Sequence, residues 1–117
     1  MACFIFCVAQ IVYLAASFVL HQWLIDAQGR GIPTDFVNVW AAGKLVLAGQ
    51  PAVAYDWTLH KEIENFAVGY SFPGYYGWHY PPPMLAVAAL LALFPYAAAY
   101  AGWVAITLPA YVATMTV

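Results

Sequence analysis

Hydrophobic and polar positions divide the chain into two apolar blocks around one polar insert. From Ala2 to Ile25, "ACFIFCVAQIVYLAASFVLHQWLI", there is no charged side chain, and from 65 to 117 there is none either. All eight (Asp26, Arg30, Asp35, Lys44, Asp56, Lys61, Glu62, Glu64) fall between. The first block exceeds the about 20 residues that cross a bilayer core of about 30 Å, so a span over 2–25 is expected, with "HQW" at its interfacial end. A signal peptide fits worse: no basic segment leads the run, the run is long, and no small-x-small cleavage site follows it. In the second block Pro95 is the natural break, because proline removes a helix donor and disfavours helix at the residue before it. The pattern predicts a short helix from about Pro83 to Phe94, too brief to cross alone and open to a re-entrant path. A longer helix from Tyr96 onward follows, kinked at Pro109. The predicted organisation is one N-terminal part of a multi-pass domain: span 2–25, extramembrane insert 26–79, helical hairpin 80–117.

Within the insert, two helices are expected. The first runs from about Asp35 to Ala48, led in by Pro33 and Thr34 and closed by Gly49 and Pro51, which suit a helix end. Phe36, Val39 or Trp40, Gly43, and Val46 or Leu47 recur at helical spacing, with Asp35 and Asn38 on the other edge. So apolar a helix should lie on a membrane or against the spans. The second, in "DWTLHKEIENFAVG", places Leu59, Ile63 and Phe66 on one face. His60, Lys61, Glu62, Glu64 and Asn65 take the rest, read as a solvated face on which His60 and Glu64 can pair one turn apart. The loop "YSFPGYYGWHYPPP" reads first as an aromatic interfacial anchor, and as a platform for sugar rings second.

Composition reinforces the membrane reading. The 117 residues are 66% hydrophobic and 7% charged, where a soluble domain averages about 25% charged. Three dispersed basic residues and a net charge of −2 argue against nucleic acid as a partner. Taken literally, their position puts the insert on the cytoplasmic side. Cys3 and Cys7, one turn apart, are poorly placed to bond each other and read as packing residues. No zinc spacing, phosphate-binding glycine loop or nucleophile elbow is present. The fold class expected is therefore an all-α membrane protein of about three hydrophobic helices, with an amphipathic-helix insert after the first.

Asp35 is the residue of interest. As a helix N-terminal residue it is explained by capping, worth about 0.5–2 kcal/mol. A carboxylate beside a lipid surface also suits a general base. Asp56, His79, Arg30 and Lys44 share the insert, and Tyr80 opens "YPPP".

The order of an N-terminal span, "DF" opening an amphipathic helix with "WAAGKLVLAGQPAVAYDW", then "YPPP", a hydrophobic run and "LFPY" resembles glycosyltransferase family 87, membrane enzymes of the GT-C class. The matching positions are Asp35 and Phe36, Ala41 to Gly43, Gly49 with Pro51, Tyr55 with Asp56, Tyr80 to Pro83, and Pro95. The resemblance implies a hexosyltransferase of mannosyltransferase type, using a polyprenyl-phosphate-linked sugar donor and a lipid or glycan acceptor. It implies Asp35 as catalytic base, and Arg30, Lys44, Asp56, His79 and Tyr80 as candidates for binding substrate. It implies the cell (inner) membrane, an extracytoplasmic insert (against the charge signal), and no metal or other cofactor. Family members have many spans, so the chain reads as their front portion, expected to be inactive alone. The competing readings are a small membrane anchor or assembly subunit and a transporter fragment. A transporter predicts ionisable residues within the spans, where only Gln10 and hydroxyls are found.

Overall fold

The computed structural model describes residues 2–115, with side chains from Phe4 onward; Cys3 and the end of the expected hairpin lie outside the described residues. Five α-helices follow in order: α1 (Ala2–Val19), α2 (Phe36–Leu47), α3 (Trp57–Val68), α4 (Met84–Leu91) and α5 (Tyr96–Met115). A 3₁₀ turn at Pro51–Tyr55 joins α2 to α3, and an isolated bridge between Ile25 and Gly31 pins the loop before α2. The all-α class is as expected.

The first helix is shorter than its apolar run. The helix stops at Val19 because the N–H groups of His21 and Gln22 turn back to the carbonyls of Phe18 and Ser17. His21 and Leu24 adopt positive φ values of 55° and 67°, uncommon for residues with a side chain. Burial of Leu24 in the core holds that turn in place. Residues 20–25 therefore form a fold-back, and α1 is about 27 Å long at 1.5 Å per residue. Among the described residues, one helix is long and apolar enough to cross a membrane: α5, which continues through Pro109.

The fourth helix is also shorter than expected. It begins after the proline run and ends at Leu91, where the N–H groups of Leu93 and Phe94 bond to carbonyls three residues back. That tightened last turn leads into Pro95.

α2 keeps its expected bounds to within a residue, but it is not a surface helix. Phe36 to Gly43 and Leu45 are all buried, so α2 is the axis of the fold, packed by α4 on one side, α3 and the 3₁₀ turn on another, and the start of α5. The close approach to α4 depends on small residues. A Cβ at Gly43 would overlap the Ala88 carbonyl oxygen and lie 2.7 Å from the Ala92 Cβ. Trp40 Nε1 donates to the Phe94 carbonyl at 2.9 Å, and the Tyr96 hydroxyl donates to the Ile32 carbonyl at 2.8 Å. These two bonds lock the α4–α5 turn and the loop before α2 to the axis.

α3 overturns part of the expectation from its apolar positions. Ile63 packs half-buried against the core, but Leu59 is exposed and Phe66 is 72% exposed, whereas His60, Glu64 and Val68 are buried. The buried face is polar because its partners are built in, as set out below. The aromatic loop likewise turns largely inward: Phe72 and Trp78 are core residues, while Tyr80 stays exposed.

The crossing of α2 and α4 yields a stability prediction. Gly43→Ala forces the two backbones apart, an overpacking cost of about 1–3 kcal/mol. It should lower the thermal unfolding midpoint in detergent; an unchanged midpoint would show that the helices do not meet at Gly43.

Candidate functional site

Asp35 precedes α2 in helical conformation, φ −54° and ψ −24°, and its side chain makes no capping hydrogen bond. A capping aspartate normally takes extended dihedrals so that its oxygen can reach the N–H groups of the first turn. Here the cap is left to the backbone, with Val37 N–H donating to the Thr34 carbonyl. The carboxylate is solvent-exposed, and capping does not account for it.

Asp56 shows the contrast. It has extended dihedrals, and its Oδ1 accepts from the N–H groups of Thr58 and Leu59 at 3.0 and 2.9 Å. Its carboxylate is committed to starting α3.

Two cavities meet at Asp35. One, of about 390 Å³, is lined by Asp35, Asn38, Tyr76, Gly77, His79 and Tyr80. The other, also about 390 Å³, runs along α5 and is lined by Thr34, Asp35, Phe36, Val39, Tyr80, Met84, Tyr100, Trp103, Val104 and Thr107. Asp35 and Tyr80 belong to both. The first is polar and aromatic in its lining; the second is dominated by rings, with Phe36 and Tyr100 stacked at 5.0 Å between centroids.

The structure thus brings Asp35, His79 and Tyr80 together and leaves the other candidates elsewhere. Arg30 is paired with Asp26 at 2.8 Å, and its guanidinium lies 4.4 Å above the Tyr70 ring. Lys44 lies over Trp40, 4.9 Å from the ring centroid, nine residues along α2 from Asp35 and so about 13 Å away. Asn38 enters as a wall residue: its Nδ2 donates to the Gly77 carbonyl at 3.1 Å, and its buried Oδ1 has no partner among the described residues. The α5 wall went unremarked in the sequence, although Tyr100, Trp103, Val104 and Thr107 recur at one-face spacing.

Behind the polar cavity is the buried face of α3. His60 Nε2 lies 3.8 Å from Glu64 Oε1, and Lys61 Nζ lies 3.7 Å from Glu64 Oε2 and 3.0 Å from the centroid of the Phe72 ring. Glu64 Oε2 accepts from the Tyr76 N–H at 3.4 Å. Burial raises the Glu64 pKa above the ordinary carboxyl value, opposed by the Tyr76 N–H and the Lys61 charge. Burial lowers the His60 pKa, opposed by the nearby carbonyls of Ala54 and Asn38. Lys61 is also lowered by burial, with Glu64 acting against it. Both members of the His60–Glu64 pair are therefore favoured in their neutral forms.

The chain matches no protein-family model, and no curated protein or solved structure is similar to it at a significant level.

The pair gives a pH dependence whose sign can be worked out. Glu64 is raised from 4.5, so the folded chain binds more protons than the unfolded one as pH rises past that value, and stability is lost through the folded pKa. His60 is lowered from 6.5, so its contribution is full above that pH and is lost as pH falls toward the folded pKa. The two slopes oppose each other in the wild type. Glu64→Gln should leave the His60 slope alone, with unfolding midpoints rising as pH increases toward 6.5, and more steeply than in the wild type. Equal slopes would mean that Glu64 is ionised in the fold.

Proposed function

We propose that the chain is part of a membrane hexosyltransferase that uses a polyprenyl-phosphate-linked donor and a lipid or glycan acceptor, with Asp35 as its general base. The observation that carries this reading is the uncapped, exposed carboxylate at the junction of two cavities, one walled by Asn38, Tyr76, His79 and Tyr80 and the other by Phe36, Tyr100 and Trp103. The likeness of its sequence motifs to glycosyltransferase family 87 supports the same assignment.

The chemistry follows from that placement. The donor's hydrocarbon tail runs along α5 in the apolar cavity, which puts its phosphate and anomeric carbon near Asp35. The acceptor hydroxyl enters from the polar cavity. As it attacks the anomeric carbon, Asp35 takes its proton, the bond from that carbon to the phosphate oxygen breaks, and the phosphate leaves with the electron pair. A single displacement inverts the anomeric centre. A positioned carboxylate contributes typically about 10²- to 10⁴-fold to such a step. His79 is one side chain on this wall able to donate a hydrogen bond to the leaving phosphate, beside the hydroxyls of Tyr76 and Tyr80. Arg30 and Lys44 would have to leave their present contacts to do so. In this reading the protein is multi-pass in the cell (inner) membrane, α5 crosses it, and the insert is extracytoplasmic.

The reading as an assembly subunit without catalytic activity draws on a different feature, an apolar groove of about 410 Å³ between α1 and α5, lined by Phe6, Cys7, Gln10, Leu108, Tyr111, Val112 and Met115. A helix of another subunit would fit such a groove.

The test is transfer from a polyprenyl-phosphate hexose by membranes containing the full-length protein of which this chain is proposed to be part, compared with membranes containing its Asp35→Asn variant at equal abundance. The variant should transfer about 10²- to 10⁴-fold more slowly. A near-normal rate would remove Asp35 as base, and absence of transfer by the wild type would favour the assembly subunit.

A further inference from the structure

The residues behind the polar cavity suggest how its wall is held. Consecutive residues of the 75–80 loop are gripped from two helices: the Tyr76 N–H donates to Glu64 Oε2 on α3 at 3.4 Å, and the Gly77 carbonyl accepts from Asn38 Nδ2 on α2 at 3.1 Å. Glu64 has no exposed surface and Asn38 is 7% exposed, so both grips come from inside the fold. Gly77 then seats the next wall residue. A Cβ at Gly77 would lie 2.6 Å from His79 Nε2 and 2.9 Å from His79 Cε1, so the imidazole packs directly on the glycine. Tyr75 edges against the His60 ring at 6.0 Å between centroids, which ties the start of the loop to the same face of α3.

A buried carboxyl is an expensive way to stabilise a core. Replacing a whole buried ion pair with apolar groups of similar volume is often neutral or stabilising, whereas removing one partner alone is strongly destabilising. Yet α3 turns His60, Lys61 and Glu64 inward while Trp57 and Phe66 stay outside. The contact that Glu64 makes outside its own helix is with the loop that walls the Asp35 cavity.

We propose that Glu64 and Asn38 are positioning residues for the Asp35 cavity: together they hold the Tyr76–Gly77 backbone, and Gly77 in turn seats His79 on the wall facing the substrate. The consequence for catalysis rests on the reading of Asp35 as base; the consequence for the loop does not. Glu64 lies outside the cavity lining and touches no substrate in this scheme, while Asn38 is itself part of the wall. Glu64 is needed for its acceptor oxygen, so glutamine can replace it and leucine cannot.

Two readouts on the whole protein in detergent micelles separate this role from a purely structural one. The first is the proton–proton nuclear Overhauser contact between the His79 ring and the Gly77 Hα. It should be present in the wild type, weakened in Glu64→Leu and Asn38→Ala, and restored in Glu64→Gln. The second is the thermal midpoint, which Glu64→Leu should lower because it leaves the Tyr76 N–H and the Lys61 ammonium without their partner. The contact must weaken well below that midpoint, whereas a merely structural Glu64 would keep it until the chain unfolds. In the transfer assay Glu64→Leu should lower kcat about tenfold, the loss of one hydrogen bond to the leaving phosphate from a displaced His79. Gly77→Ala, whose Cβ displaces the His79 ring, should lower kcat in the same way. A His79–Gly77 contact undiminished in folded Glu64→Leu would overturn the proposal, as would an unchanged kcat in Gly77→Ala. A wild type that shows no transfer would sink the reading of Asp35, while the nuclear Overhauser contact would still decide the role of Glu64.

Discussion

Gly43 presses on the Ala88 carbonyl because no side chain at Gly43, Ala88 or Ala92 is long enough to hold α2 and α4 apart. That backbone contact makes α2 an axis rather than a surface helix, with α3, the 3₁₀ turn and the start of α5 closing around it. It also places the N-terminal end of α2, and with it Asp35, between the 75–80 loop and α5. Both cavities at Asp35 follow from this geometry.

Two aspartates at helix starts show how backbone conformation sets what a side chain can do. Asp56 is extended, reaches back to two N–H groups, and is used up in starting α3. Asp35 is already helical, leaves capping to the Thr34 carbonyl, and its exposed side chain makes no cap bond. The inner polar face of α3 has a comparable logic. An orphaned buried polar group costs about 1–3 kcal/mol, and Glu64 offsets part of that cost through the Tyr76 N–H and the Lys61 ammonium.

Much of the helical framework was legible in the residues, and for physical reasons. Gly49 and Pro51 end α2, Asp56 and Gly69 bracket α3, and Pro95 separates α4 from α5; each acts through local backbone geometry. What was not legible depends on contacts distant in sequence. The break at Val19 requires Leu24 to enter a core formed by later segments, so an unbroken apolar run concealed it. The inward face of α3 was hidden because its periodicity favours Leu59 and Phe66, whereas partners from the 72–76 loop and the 3₁₀ turn reward His60, Lys61 and Glu64. At the site, Asp35, His79 and Tyr80 do meet. Arg30 and Lys44 are drawn away by Asp26, Tyr70 and Trp40, pairings that a list of charged residues does not reveal.

The central claim is that a prenyl donor lies along α5 with its phosphate end at Asp35. Photo-crosslinking tests it directly, using a polyprenyl-phosphate analogue with a photoreactive group in the first isoprene unit and mass spectrometry to locate the adducts. The account predicts adducts on Met84, Tyr100 and Trp103, suppressed by excess unlabelled polyprenyl phosphate. Adducts confined to α1, or spread over the apolar surface and insensitive to competitor, would contradict it.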